Sequence, residues 1–212
     1  LKGTPAYLVD NVDEIDLAWL DGCTRVGITA GASTPARVAR EVIEFVEAAR
    51  QIKARHPNAR FQLLGAAGSE NRTAIDTATV EGWVAEGVVE YLGTTNDVRP
   101  AIAAASCVVL PSYREGAPRT LIEAAAMARP LIATDVPGCR TVVDHDVSGF
   151  LCAVRNADSL AAAMERFLAL SPQARVEMGQ AGRLKMEREF DQALVVTAYR
   201  QALAALTGDG QS

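Results

Sequence analysis

Residues 111–135 read PSYREGAPRTLIEAAAMARPLIATD and join two short apolar runs through a segment with helical spacing. One apolar run, 107–110, ends just before this stretch, and the other, 131–133, lies near its end. Apolar runs on either side of an amphipathic segment predict two parallel strands connected by a crossover helix. Arg114 and Glu115 lie where the first strand gives way to the helix. A buried core needs neither charge, so this turn either holds a ligand or caps the helix.

The same alternation continues along nearly the whole chain. Apolar runs predict strands at 6–9, 25–30, 60–64, 88–92, 107–110, 131–133 and 149–153. Amphipathic segments predict helices at 12–20, 35–55, 73–86, 98–104, 119–127 and 159–168, followed by two terminal helices beyond residue 171. Thr34 and Asp158 are predicted N-caps. The pattern therefore predicts a Rossmann-like or flavodoxin-like three-layer α/β/α fold around a parallel sheet of six or seven strands.

Composition and charge narrow the possible ligands. The 212 residues are 49% hydrophobic and 22% charged, with a net charge of −5, which is ordinary for one globular domain and unsuited to nucleic acid. No run approaches the ~20 apolar residues of a membrane span. The four cysteines form no CxxC pair, so we expect free thiols, no metal and a soluble, cytoplasmic protein. Since the sequence begins at Leu1, we expect a fragment, a processed chain or a trimmed piece.

The turn TAGASTP, residues 29–35, is the first candidate site. Gly31 allows a ligand to approach the backbone closely, and Ser33 and Thr34 add hydroxyl donors beside a helix start. Free N–H groups and partial positive charge at a helix start favour anions, which predicts a phosphate or sulfate ligand. A tight turn with Thr34 acting only as the N-cap explains the same residues.

The turn at 114–118 is the second candidate site. Glu115 lies on the turn, and Glu123 lies about a turn and a half inside the helix. A nucleotide sugar along the helix start would meet Glu115 near its sugar and Glu123 at its ribose, because carboxylates accept hydrogen bonds from vicinal hydroxyls. The groups that would face the diphosphate are the amides of Gly116, Ala117 and Arg119 and the hydroxyl of Thr120. Alternatively, Glu123 pairs with Arg119 and Glu115 only favours the positive helix end, effects of ~0.3–1 kcal/mol each.

Three stretches carry a family resemblance that includes the second turn. They are FVEAARQIKARHPNARFQLLGAAG (45–68), VEYLGTTNDVRPAIAAASCVVLPS (89–112) and REGAPRTLIEAAAMARPLIATDVPGCRTVVDHDVSGFLC (114–152). From about residue 44 to 205 the chain resembles the carboxyl-terminal, donor-binding domain of family-four retaining glycosyltransferases, which have two facing Rossmann-like domains (the GT-B fold). The resemblance implies a UDP-sugar or another nucleotide diphosphate-sugar as ligand.

The resemblance also implies a role for each candidate residue. Glu115 would lie at the donor sugar and diphosphate, and Glu123 would hydrogen-bond the ribose. The diphosphate would be lined by Gly116, Ala117 and Thr120, and the base bordered by the turn near Gly93.

The start of the chain departs from this family. The family opens the domain with Gly-Arg and then Lys-Gly, whose two cations clamp the diphosphate. Residues 25–43 read RVGITAGASTPARVAREVI, with neither cation in the loop. Residues 5–43 instead resemble the last βαβ segment of the iron–sulfur enzyme 4-hydroxy-3-methylbut-2-enyl diphosphate reductase, whose TAGAS turn binds substrate diphosphate through its serine, here Ser33. The four cysteines match no cluster ligand of that family, so no reductase activity is implied.

Two resemblances on one chain predict an engineered chimera, a single α/β domain over residues 1–207 with a seam near 43–49 and a disordered tail at 208–212. A natural, divergent protein is the alternative. Because the family holds its acceptor in a second domain, we expect a donor-binding domain that is catalytically silent by itself, with no catalytic residue assigned. The other hypotheses are a scaffold with no ligand function and an enzyme subunit completed by a partner chain. Exposed apolar residues of the C-terminal helix predict a homodimer.

Overall fold

The computed structural model of the chain describes residues 35–67 and 75–207. The helices are α1 (Pro35–Arg55), α2 (Thr77–Ala85), α3 (Arg99–Ala104), α4 (Arg119–Ala126), α5 (Pro137–Val142), α6 (Ala157–Ala169), α7 (Pro172–Glu189) and α8 (Gln192–Thr207). The strands are β1 (Gln62–Leu63), β2 (Glu90–Tyr91), β3 (Val108–Leu110), β4 (Leu131–Thr134) and β5 (Gly149–Cys152). The predicted strands at 6–9 and 25–30, the helix at 12–20 and the tail lie outside the described residues.

All strand pairs among the described residues are parallel, as predicted, but the single sheet of six or seven strands is wrong for this part of the chain. One sheet pairs β1 with β2, and the other has the order β3-β4-β5. Two predicted strands fall outside the described residues. The predicted strands at 60–64 and 88–92 shrink to two residues each, and Gly65 and Gly93, which have positive φ, lie just beyond their C-terminal ends.

The strand β4 lies between two layers of helices, and its burial alternates between them. Ile132 packs into a core built mainly from α1, α2 and α6, whereas Leu131 and Ala133 pack into a second core built from α3, α4, α5 and α7. All four residues of β4 are buried. An apolar run that is buried on both faces is the pattern of a strand in a three-layer α/β/α arrangement, which the described residues show.

Most helices begin and end close to where the sequence predicts them, and α1 matches its prediction at both ends. The prediction of Asp158 as the N-cap of α6 is wrong. Asn156 caps that helix by accepting from Ser159 N at 2.8 Å, while Asp158 accepts from Gln51 on α1. The helix α5 has no predicted counterpart, because its sequence, PGCRTV, opens with a proline and a glycine and is typical of a turn.

Candidate functional site

The backbone after β3 is fixed from two sides before the turn at 114–118 begins. Tyr113 N donates to a carboxylate oxygen of Glu41, a buried residue of α1, at 2.7 Å. Thr134 Oγ1, at the end of β4, donates to the carbonyl of buried Ser112. A buried carboxylate and a buried hydroxyl that both bond to backbone groups leave this segment little freedom, so the turn projects from a rigid base.

The side chain of Tyr113 extends this anchor. Its hydroxyl donates to Glu44 of α1, and the guanidinium of Arg155 lies 5.0 Å from the centre of its ring. Burial, followed by the hydrogen bond and negative charge of Glu44, raises the pKa of Tyr113. The phenol therefore stays protonated and continues to donate at physiological pH.

Gly138, at the start of α5, supports the turn from below. A Cβ built on Gly138 would lie 2.2 Å from the carbonyl oxygen of Glu115 and 2.4 Å from that of Gly116, so only glycine permits this approach. Burial raises the pKa of the neighbouring Cys139 thiol to about 11, and the negative charge of Glu115 contributes to this rise. The backbone of the turn is therefore in close contact with the start of α5.

The start of α4 presents unbonded backbone donors. Pro118 precedes the helix and provides no side-chain cap. Among the described backbone bonds, the first donated within this helix comes from Leu121 N, to the carbonyl of Pro118 at 3.0 Å. The N–H groups of Arg119 and Thr120 come before it and face out of the helix end. The exposed residues around them are Gly116, Ala117, Arg119 and Thr120.

An open cavity of about 630 Å³ lies between the start of α3 and one side of α4. Its lining residues are Asn96, Asp97, Val98, Arg99, Arg119, Glu123, Ala126 and Met127. Its size falls within the range of small-molecule sites, roughly 300–1,000 Å³. Glu123 is therefore the predicted site residue that the structure places in a cavity, while Glu115 lies on the turn outside it.

Two ion pairs lie on the cavity wall. Arg119 Nε donates to Glu123 Oε1 at 2.8 Å, so the i,i+4 pair offered as an alternative to ligand binding is formed. Arg99 holds both carboxylate oxygens of Asp97, at 2.8 and 2.9 Å. These bonds, together with one from the Arg99 backbone N–H, lower the pKa of Asp97.

The other predicted site residues have different outcomes. Ser33 and Thr34 lie outside the described residues. Gly93 has a φ of 72°, and its carbonyl accepts from Gly65 N at 2.9 Å, which joins the ends of β1 and β2. The cavity lining begins three residues later, at Asn96.

Sequence reasoning missed the cavity's α3 wall and the glycine under the turn. The segment NDVRP at 96–100 has an acidic residue and, three positions later, a proline, which is a pattern of helix starts. Nothing in the segment indicates a ligand. Gly138 belongs to the stretch VPGC at 136–139, which predicts a turn. The sequence alone does not show that this glycine lies against the turn at 114–118.

Comparison with known proteins identifies the family. The family model for glycosyl transferases group 1 matches residues 26–169, more than half of the chain. The chain belongs to the group 1 glycosyltransferases. A curated relative, N,N'-diacetylbacillosaminyl-diphospho-undecaprenol alpha-1,3-N-acetylgalactosaminyltransferase of Campylobacter jejuni, is 32% identical over 119 residues, which is 56% of this chain and 30% of that protein. HepE of Anabaena, solved in complex with UDP, is 22% identical with a TM-score of 0.67 over 82% of this chain and 47% of that one, which shows the fold.

The start of the chain matches a second family, as the sequence predicts. The family model for LytB protein matches residues 1–47. The 4-hydroxy-3-methylbut-2-enyl diphosphate reductase of Symbiobacterium thermophilum is 55% identical over 47 residues, 22% of this chain and 16% of that protein. Residues 26–47 fall within both family matches. The glycosyltransferase match therefore reaches further upstream than residue 44 and includes the turn at 29–35.

The chain spans less than half the length of each of these relatives. Within the described ranges, none of the helices combines the length and apolar character that crossing a membrane requires.

Proposed function

We propose that the cleft between the turn at 114–118, α4 and the start of α3 binds the nucleoside diphosphate part of a sugar nucleotide. The observation that carries this proposal is the cavity of about 630 Å³ with the Glu123 carboxylate on its wall, beside the exposed N–H groups at the start of α4. A carboxylate is a strong acceptor for two neighbouring ribose hydroxyls, and free N–H groups with the positive end of a helix attract a diphosphate.

The arrangement orders the ligand along α4. Glu123 binds the ribose, the amides of Gly116 and Ala117 with the Thr120 hydroxyl face the diphosphate, and Glu115 meets the sugar. The base lies toward residues 93–99. HepE of Anabaena, which shares the fold, was solved with UDP, and this supports a nucleotide diphosphate as the ligand class.

Calorimetric titration tests the ligand class. The chain is titrated with UDP, GDP and ADP and with their sugar conjugates, and we expect heat with at least one of them. Glu123→Ala should lower the affinity for that ligand by about tenfold or more, because a charge-assisted hydrogen bond contributes roughly 1.5–3 kcal/mol. Heat unchanged by Glu123→Ala removes the ribose role, and no heat with any nucleotide removes the binding proposal.

We propose further that the chain does not transfer sugar by itself. It spans less than half of its relatives' length, and loss of the groups that position an acceptor removes many orders of magnitude of rate. Hydrolysis or transfer of a bound UDP-sugar by the chain alone, measured by UDP release, would contradict this proposal.

The second candidate function is that of an enzyme subunit which a partner chain completes. The short share of each relative that this chain covers favours it. Addition of that partner would then restore transfer. An engineered chimera without ligand function is the third candidate, favoured by the two family matches. Ser33 and Thr34 would then be inherited from the reductase segment, and phosphate, sulfate and nucleotides would all fail to bind.

A further inference from the structure

The cavity between α3 and α4 is electrically balanced in this structure. Its lining includes two arginines, Arg99 and Arg119, and two acids, Asp97 and Glu123, and each arginine is paired with one acid. A nucleoside diphosphate adds two or more negative charges. A cation of the cavity wall that left its present partner would add a counter-charge to the N–H groups at the start of α4 and so strengthen binding of such a ligand.

The two arginines differ in how firmly they are held. Arg99 grips both oxygens of Asp97 with two of its nitrogens, and its own backbone N–H bonds the same carboxylate. Arg119 contacts Glu123 through Nε alone. Both arginine side chains are largely exposed, 78% for Arg99 and 89% for Arg119, so the number of bonds distinguishes the two pairs. The bidentate pair is the stronger, and the single-bond pair at i,i+4 is more easily opened. Of the described residues that line the cavity, Arg119 is the cation that can change partner at the lowest cost.

The position of Arg119 also suits a diphosphate. It is the first residue of α4, so its guanidinium starts from the helix end whose N–H groups face outward. A guanidinium presents parallel donors that match two oxygens of a phosphate. The side chain and the helix end can therefore bind one anion from two directions.

We propose that Arg119 is the cation that binds the ligand's diphosphate, and that binding exchanges its partner. Glu123 releases Arg119 and accepts the ribose hydroxyls, while Arg119 turns to the diphosphate oxygens. This inference rests on the proposed nucleotide function and adds to it a diphosphate-binding side chain and a partner exchange. The Arg119–Glu123 pair keeps both groups at the site before the ligand arrives.

If the exchange occurs, a change at Glu123 should have opposite effects on the affinities for uridine and for pyrophosphate, the two parts of UDP. The probes are UDP, uridine and inorganic pyrophosphate, titrated into the whole chain and into Arg119→Gln and Glu123→Gln. Arg119→Gln should lower the affinities for UDP and pyrophosphate by about tenfold and leave the affinity for uridine within about twofold of the parent value. Glu123→Gln should lower the affinity for uridine. The same change should raise the affinity for pyrophosphate severalfold, because Arg119 is then released and a negative charge is removed.

A second pair of the same chemistry provides the control. Arg50 donates to Glu86 Oε2 from Nε at 3.1 Å and from a terminal nitrogen at 2.7 Å, and neither residue lines the cavity. Arg50→Gln and Glu86→Gln should leave all three affinities unchanged, which separates a local effect from a change in net charge. Equal melting temperatures for the cavity variants and the parent chain would show that folding is intact.

The outcomes separate this inference from the function on which it rests. UDP binding that is insensitive to Arg119→Gln overturns the partner exchange alone, and the pair is then an ordinary surface ion pair. Pyrophosphate binding that weakens in Glu123→Gln also overturns it. Absence of binding by all three probes overturns both the exchange and the proposed function.

Discussion

At the scale of single residues, Gly138 is the position where the smallest change has a decisive effect on the candidate site. A methyl group at Gly138 would overlap the carbonyl oxygens of Glu115 and Gly116, which are backbone atoms and cannot rotate away. Gly138→Ala should therefore displace the turn and destabilise the fold by roughly 1–3 kcal/mol. Nucleotide affinity should fall together with stability, as measured by urea unfolding and calorimetric titration.

Gly82 offers a matched control for Gly138→Ala. It lies inside α2, and a Cβ there would meet no atom within 4 Å. Gly82→Ala should stabilise the chain by about 0.5–1 kcal/mol, because alanine loses less backbone entropy in a helix. If both substitutions have the same effect on stability, the turn is not held by close contact with α5.

The two acidic residues of the site show what sequence can predict at this scale. The spacing of Glu115 and Glu123 placed one on a turn and the other inside a helix, and the structure has them there. Spacing also predicted the contact of Glu123 with Arg119, which are four residues apart on α4. It could not predict the close approach of Gly138 to the carbonyl oxygens of Glu115 and Gly116, because α5 is distant from the turn in sequence.

At the scale of elements, one carboxylate adds to the backbone hydrogen bonds that join β1 and β2. Glu90 accepts from Arg60 at 2.7 and 2.8 Å and from Gln62 at 2.9 Å, and these hydrogen bonds lower its pKa from 4.5 to about 2. Because the folded pKa lies below the unfolded one, the stabilisation is complete above pH 4.5 and is lost as the pH falls through 2. Salt should weaken it, since the group is partly exposed.

Urea unfolding of the parent chain and Glu90→Gln checks this pH dependence. At pH 6 the variant should unfold at lower urea, and the difference should shrink steadily between pH 4.5 and 2. Glu187→Gln, which removes an exposed carboxylate far from β2 in sequence, serves as the control. A difference between parent and Glu90→Gln that stays constant over this range would show that the amide, not the charge, is responsible.

The ends of a helix or strand could be predicted where a long segment repeats its apolar spacing. They could not be predicted for the shortest elements. The 21 residues of α1 repeat their apolar face several times, so both ends follow from the sequence. By contrast, β1 and β2 keep two residues each, and α5 has only six. Elements this short do not repeat a period often enough for the sequence to fix their ends.

At the scale of the whole molecule, α1 connects the two family resemblances to one site. Both family matches include residues 35–47 of this helix. Its acids Glu41 and Glu44 hold Tyr113 at the base of the candidate turn. A segment similar to the reductase family thus supplies contacts to the base of the turn at 114–118, and a seam near 43–49, natural or engineered, would pass through this interface.

The last helix, α8, is the surface that we predict to join two copies of the chain. Val196 and Tyr199 are three positions apart and therefore lie on one face, where their exposed fractions are 39% and 70%. Leaving such an apolar face in water is unfavourable, so we expect a dimer whose fraction rises with protein concentration. Tyr199→Lys should shift the population to monomer, as measured by light scattering across a concentration series.

A matched variant separates this effect from a general gain of charge. Leu184 on α7 is 61% exposed, and Leu184→Lys adds the same charge away from the α8 face. It should leave the dimer fraction unchanged. A parent chain that stays monomeric at every concentration would contradict self-association through α8, and the apolar face would then be open to the acceptor-binding partner of the second functional hypothesis.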